Sequence, residues 1–539
     1  MSSKRTANAP TQRTQTRQTT RRPYTRTKLG CRTCKIRKVR CDETWPTCGN
    51  CTKTGRCCDG VAPAHDAQNQ RMVVTFTVPL TLSHFRPSQA GGELGQGDVE
   101  YLDLFRHELV ACVVGGGRVT WRRLVLQAVH EEQAPCHAAI AFSALQRARA
   151  ATRSSSCGDG DGAKGLAASS EMRLALRHYG RCIQKMQCVV ASGGDDDGRR
   201  VNVALLCTVI CICFELCMDE PVVALSHLEH GLNIVSTNHS SVDADVALAF
   251  SRLDLQATMF LGRRAPALDM DRVAACSLSA EGGYQEADRD LTCLTSRLFS
   301  FMRTEADGFR YLEPGSVPLH VAAEAGKLDE DLSAFQGRYL APGTQFAESG
   351  RLAETSLIRV KHLTATVLLA TSLAAEEAIY DRFTPQFLDI VTLAAGLLDG
   401  PPRKTASAAG FSLDMGVVHS LYVTAGKCRH PLIRRHAVRL LDAVPGAEGA
   451  WEAKEHARIG ERVMQLEERG LDLGLDMDMG SGLQLSTDWD LSRVPEWRRI
   501  HSVDIRPQNG GLRCAEVVFR WRPNGMDGEW EDFQEVMSW

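Results

Sequence analysis

The sequence predicts a mainly α-helical protein, with a small cysteine-rich module at the amino end, a large all-helical domain, and a β-hairpin near the carboxyl end. Three observations lead there. Seven of the 20 cysteines crowd into residues 31–58, and apolar residues beyond residue 100 recur in steps of three and four. Two strand-like runs also flank an Asn-Gly-Gly turn close to the end. A length of 539 residues allows two to four units at roughly 100–200 residues each. The 43% hydrophobic and 24% charged fractions suit a globular chain and leave the function class to local features.

The first element, residues 1–25, reads as a disordered basic tail. The net charge of −2 hides a strong asymmetry, because residues 1–60 carry 15 Lys or Arg against Asp42, Glu43 and Asp59, and no acidic residue precedes Asp42. The first 60 residues therefore stand at +12 and the remainder at −14. A segment of that sign favours a polyanion. No apolar stretch follows the amino terminus, which argues against a secretory signal. The apolar run Val203–Phe214 falls short of the ~20 residues that span a bilayer and reads as a buried helix, so no membrane partner is expected. In a reducing cell interior, clustered cysteines point to metal rather than to disulfides.

The second element, residues 26–60, carries the chemistry. Its spacing is Cys31-x2-Cys34-x6-Cys41-x6-Cys48-x2-Cys51-x6-Cys58, two similar half-motifs of a close pair and a third thiol. Thiolates so placed converge on a soft ion, and zinc prefers four of them in a tetrahedron. Six cysteines cannot build two separate four-thiolate sites, but two zinc ions sharing bridging thiolates satisfy the count. Between Cys34 and Cys41 runs Lys35-Ile36-Arg37-Lys38-Val39-Arg40. Helical spacing puts Ile36 and Val39 on one face and leaves the basic side chains for DNA, where Arg and Lys pair with guanine O6 and N7.

On these residues the module resembles the fungal binuclear zinc cluster family. The resemblance implies two zinc ions, with Cys31 and Cys48 bridging and Cys34, Cys41, Cys51 and Cys58 terminal, and a module that reads short GC-rich, CGG-like triplets. Cys57 offers a shorter final spacing, whereas Cys58 followed by Asp59-Gly60 looks like the family's usual ending. The residue matching Lys38 makes the main base contact in the family, Arg37 supports it, and Lys35 and Arg40 would face phosphates, which set register without reading sequence. Pro46 matches the family's loop proline, and Trp45 beside it is expected to pack in that loop.

The third element, residues 61–99, reads as a linker with one strand-like piece, Met72–Val78. It holds no sustained apolar heptads, so dimerisation through a coiled coil is not predicted and paired half-sites stay open. From residue 100 to 470 the pattern is helical. Met172, Leu176, Tyr179, Ile183 and Met186 step by four and three, as do Leu225, Leu228, Leu232 and Val235. Residues 121–145, 205–235 and 251–266 also resemble the helical regulatory domain that accompanies fungal zinc clusters. Polar insertions at Arg153–Gly165, Ser192–Gly198 and Gly400–Ala409 read as surface loops. The last element, residues 471–539, begins with Asp472, Asp476, Asp478, Asp488 and Asp490 interleaved with Leu, Met and Trp489, which suits an acidic activation segment or an ordinary loop. Ile500–Ile505 and Ala515–Trp521 then form the hairpin.

Other candidates are weaker. His227 and His230 lie in an amphipathic helix without an evident third ligand, and Cys207, Cys211, Cys213 and Cys217 sit in an apolar run where cysteine behaves as a small hydrophobe. The sequence has no G-x-S-x-G elbow, phosphate-binding P-loop or H-E-x-x-H, and no dinucleotide fingerprint leading from a strand into a helix, and nothing in it is identifiable as catalytic. The expectation is a zinc-dependent transcription regulator, not an enzyme, acting on double-stranded DNA in the nucleus and engaging transcription machinery or coactivators. Fungal relatives commonly control nutrient use or secondary-metabolite genes. Two rivals remain: a helical domain that senses a metabolite or is an enzyme tethered to DNA, and a thiol-rich metal buffer, which would not require the basic run from Arg26 to Arg40.

Overall fold

The computed structural model describes residues 52–53, 95, 97–114, 119–155, 169–191, 197–268, 283–344, 346, 352–400, 410–472, 490–507, 514–525 and 528–539. The chain divides into two units, Met1–Arg86 and Pro87–Trp539. Of the first, Thr52 and Lys53 are described, in a helical residue and a turn. The basic tail and the strand-like piece Met72–Val78 lie outside the described residues.

The second unit is mainly α-helical, as the apolar periodicity predicts. Helix α1 (Asp98–Leu104) passes through a π turn, Phe105–Leu109, into α2 (Val110–Val114). Helices α3 (Val119–Glu131), α4 (Gln133–Ser155), α5 (Ser170–Ala191), α6 (Asp197–Cys217), α7 (Pro221–Thr237) and α8 (Ala244–Leu261) complete a bundle around one core. α4 pairs along α5, and α6 packs on α4 and α7. The amphipathic helices turn the expected stripes inward: Met172, Tyr179, Leu228, Leu232 and Val235 are all buried. Local signals set the ends. Pro221 opens α7, where its missing N–H costs nothing, and the Asp243 carboxylate accepts the Asp245 N–H at 2.9 Å to cap α8. α7 and α8 cross so closely at Gly231 that a Cβ there would lie 2.1 Å from the Phe250 ring, so glycine is what admits Phe250 to the core.

Helix α6 is apolar almost all round. The stretch Gly198–Cys217 is long and apolar enough to cross a membrane by length and composition, with mean hydropathy 2.0, yet the bundle buries 72% of it. Here the reading of a buried helix holds. Two of the expected loops are shorter at one end than their composition suggests, because α4 continues to Ser155 and α6 already begins at Asp197. The third, 401–409, lies outside the described residues.

Helices α9 (Tyr284–Thr304), α10 (Leu319–Phe335) and α11 (Leu352–Thr371) enclose a second core around Leu298, Phe301, Leu332 and Phe335. A third is built by α11 with α12 (Thr384–Asp399), α13 (Val418–Lys427), α14 (Pro431–Ala443) and α15 (Ala453–Glu468). Between the first core and this third one lies a small sheet of β1 (Phe411–Ser412), β2 (Ala447–Glu448) and β3 (Trp451–Glu452), parallel between β1 and β2 and antiparallel between β2 and β3. Its Glu448 carboxylate accepts the N–H groups of Gly416, Val417 and Val418 at 2.8–3.1 Å, an acidic cap on the positive end of α13.

The hairpin is part of a larger element. β4 (Ser502–Pro507) and β5 (Cys514–Trp521) pair antiparallel as expected, but β6 (Glu531–Ser538) adds a third antiparallel strand on the far side of β5. The sheet lays Val517 and Phe519 against Ile459 and Val463 of α15. Of the acidic segment, 473–489 lies outside the described residues, and Asp490 caps a short turn by accepting the Ser492 N–H at 3.1 Å.

Candidate functional site

The site that the sequence singles out, Cys31, Cys34, Cys41, Cys48, Cys51 and Cys58 with Lys35, Arg37, Lys38 and Arg40, lies outside the described residues, as do Trp45, Pro46 and Cys57. The described residues carry the polar and thiol chemistry of the helical unit.

Its largest feature is a buried charge network that joins α13, α14 and α15 to the segment before β4. A 3-10 turn, Glu377–Phe383, delivers the fully buried Glu377 carboxylate to Lys427 Nζ at 2.7 Å, Arg310 at 3.2 Å and the Tyr311 hydroxyl at 2.7 Å. Burial works to raise this carboxyl, but Lys427, Arg310 and Arg429 outweigh it and hold it at about 2. Next to it, Glu467 on α15, equally buried, receives Arg429 at 2.6 Å and Arg434 at 2.9 Å, and accepts the Ile500 N–H at 2.8 Å. Arg499 grips Asp381 with two bonds of 2.7 and 2.8 Å, and Glu496 accepts the N–H groups of Glu377 and Ala378, each at 2.8 Å. Every charge here is matched by a neighbour, so the network clamps six segments: Arg310–Tyr311, the 3-10 turn, α13, α14, α15 and the segment before β4.

A second group lies between α5, α6 and α7. Tyr179 stacks on Phe214 with ring centroids 4.3 Å apart, and its hydroxyl is 2.9 Å from His227 Nε2. Burial holds His227 at about 4, so it stays neutral, and pushes Glu215 up to about 7. His230 instead bonds the Ser226 carbonyl of its own helix at 2.6 Å. The histidine pair therefore does not converge, which agrees with its reading as ordinary structure. The cysteines behave differently. Cys213 and Cys217 pack as buried hydrophobes, Cys217 accepting from Gln146 at 3.1 Å, while Cys207 and Cys211 meet Cys182 of α5. Sequence reasoning missed Cys182 because it lies 25 residues from Cys207 and carries no motif of its own.

On α15, Glu455 is pushed up to about 8 by burial, with repulsion from Glu452 and Asp219 added. The folded chain keeps that proton where an unfolded glutamate has lost it, so stability is full at acid pH and falls as pH rises from about 4.5 through about 8. Glu455→Gln is expected to flatten this decline: the thermal midpoints of variant and parent should diverge toward pH 8 and converge near pH 5. Parallel curves would contradict the assignment.

An open groove of about 580 Å³ on the α3 face is lined by Arg122, Arg123, Leu126, Gln127 and His130. All five belong to one helix, and among the described residues no nucleophile or paired carboxylate lines it.

Two stretches of the chain match known protein families. Residues 29–66 match the fungal Zn(2)-Cys(6) binuclear cluster domain, and residues 100–263, which hold α1 to α8, match the fungal specific transcription factor domain. The aspercryptin biosynthesis cluster-specific transcription regulator atnN of Emericella nidulans is 20% identical over 92% of this chain and 96% of its own. The transcriptional regulatory protein moc3 of Schizosaccharomyces pombe is 57% identical over 47 residues, 9% of each chain. Transcription factor lfc1 of Flammulina velutipes is 44% identical over 74 residues, 13% of this chain and 23% of its own. No solved structure matches.

Proposed function

We propose that the chain, whose residues 29–66 and 100–263 match the two domains of fungal Zn(2)-Cys(6) transcription factors, is a DNA-binding regulator that reads CGG-like triplets through a helix held by two zinc ions. In this reading Cys31 and Cys48 bridge the ions and Cys34, Cys41, Cys51 and Cys58 complete their tetrahedra. Lys38 contacts the guanines, Arg37 supports it, and Lys35 and Arg40 hold phosphates. The observation that carries the reading is the doubled cysteine spacing with a basic run between Cys34 and Cys41. Zinc cross-links a segment too poor in apolar residues to fold unaided, and so presents the basic helix as a rigid body.

Residues 26–60 then form the DNA-binding module, joined through 61–99 to a helical regulatory domain that engages the transcription machinery or coactivators in the nucleus. The target is a secondary-metabolite gene set. Support for that comes from the relative whose name ties it to a biosynthesis cluster and which matches along almost the whole chain.

Two substitutions test the DNA contacts on the full-length protein. Lys38→Ala should cost about 1–3 kcal/mol on triplet-bearing duplex and remove the preference over scrambled DNA. Lys35→Ala should weaken both duplexes alike and lower the slope of affinity against salt by about one charge. Competition binding at several salt concentrations measures both. Equal losses on matched and scrambled DNA for Lys38→Ala would overturn its role as the base reader.

A further inference from the structure

We infer that Cys182, Cys207 and Cys211 form a binding site for one thiophilic ion that takes three sulfur ligands, and that trivalent arsenic is the ion it matches best. The three Sγ atoms lie within 4.8 Å of one another, with Cys182 3.3 Å from Cys207 and 3.7 Å from Cys211. Sulfurs held at roughly 2.3 Å from a common ion are themselves a little under ~4 Å apart. The triangle thus already has about the size that a shared ion requires. Two helices build it: Cys207 and Cys211 stand one turn apart on α6, and Cys182 of α5 closes the third corner. All three are fully buried in the core that also contains Leu206, Ile210 and Phe214.

Charge selects among soft ions. Three thiolates on monovalent copper would leave two negative charges in the core, and on zinc one, and uncompensated charge in an apolar interior is strongly disfavoured. Tyr179 and Glu215, which interact with Cys211, are acids, and the base beside them, His227 at 2.9 Å from the Tyr179 hydroxyl, is kept neutral by burial, so none of the three offers a positive charge to offset it. Three thiolates on trivalent arsenic are neutral. The reaction balances without an oxidant. Three arsenic–oxygen bonds of arsenous acid break and three arsenic–sulfur bonds form, while each thiol proton leaves with a hydroxyl as water. Sulfur–sulfur contacts within the triangle, which act in opposite directions, together with burial keep these thiols protonated, and that protonated form is the one the exchange consumes. The triangle lies within the part of the chain that matches the fungal specific transcription factor domain, so a captured ion would staple α5 to α6 inside that domain.

The test titrates the full-length, zinc-loaded protein with sodium arsenite and counts bound arsenic and retained zinc by native mass spectrometry. Zinc retention separates capture here from attack on the amino-terminal cysteines. The expected result is one arsenic per chain, three hydrogens lost, zinc retained, and a raised melting midpoint of the helical signal. Cys182→Ala and Cys211→Ala should abolish that capture. Cys213→Ala should keep it, since Cys213 faces Cys217 and Cys112 instead. Should a variant fail to fold, the count on the parent protein still decides: no arsenic bound while zinc is retained overturns the site. Equal capture by a folded Cys182→Ala overturns the assignment of residues, and uptake of Cu(I) with arsenite excluded overturns the choice of ion.

Discussion

Glu467→Ala should destabilise the helical unit by about 3–5 kcal/mol, the cost of breaking a buried ion pair from one side. Arg429 and Arg434 are almost wholly buried, and both direct guanidinium groups at this carboxylate. Removing it leaves the two buried cations one anion short, with Arg429 keeping Glu377 at 3.6 Å and Arg434 keeping Glu468 at 3.5 Å, and takes the acceptor from the Ile500 N–H. Glu467→Gln keeps the volume and one acceptor oxygen but not the charge, so it should fall between the alanine variant and the parent. Urea denaturation of the full-length chain, followed by the far-ultraviolet helical signal, measures both. A change below about 0.5 kcal/mol, typical of surface positions, would show that the network is better hydrated than its geometry indicates. The direction of the pKa shift agrees with this account. Burial works to raise the Glu467 carboxyl, but Arg429 and Arg434 hold it down, so its contribution is present at neutral pH and is lost as pH falls through its lowered value.

Cys48→Ser should reduce affinity for a triplet-bearing duplex to that of non-specific DNA, a loss of about 10³-fold or more. As one of the two proposed bridging thiolates, Cys48 would serve both ions at once, and an alcohol does not replace a thiolate on zinc at neutral pH. Chelation should produce the same loss in the parent protein, because zinc binding and folding of the module are one process. The variant's zinc content and its affinity for matched and scrambled DNA give the answer, with the helical signal recorded to confirm that the rest of the chain is folded. Full retention of specificity with both ions bound would remove Cys48 from the ligand set.

These two residues mark the limits of what can be read from sequence alone. Cys48 stands out because metal ligation imposes fixed spacing on short stretches of chain, and a doubled x2, x6 pattern carries its chemistry with it. Helices α5 and α7 are legible for a related reason, since burying one face forces apolar residues such as Met172, Leu228 and Leu232 into steps of three and four. α6 is legible by its uniform apolarity. Glu467 and Glu377 carry no such signal. A charged residue in a helical pattern reads as solvated, and only tertiary packing brings Arg310, Lys427, Arg429 and Arg434 around them. β6 escapes for a similar reason: Glu531, Asp532, Gln534 and Glu535 are polar and the strand pairs on one side only, so no strong alternation marks it. The Cys182 triangle needs two helices to meet before it exists at all.

The central claim, zinc-dependent reading of short GC-rich triplets, is tested most directly by selecting bound sequences from random duplexes with the full-length protein, with and without a zinc chelator. Enrichment of CGG-like triplets that disappears on chelation is the predicted result, and the number and spacing of triplets would show whether sites are single or paired. Enrichment that survives chelation, or none in the presence of zinc, would contradict it.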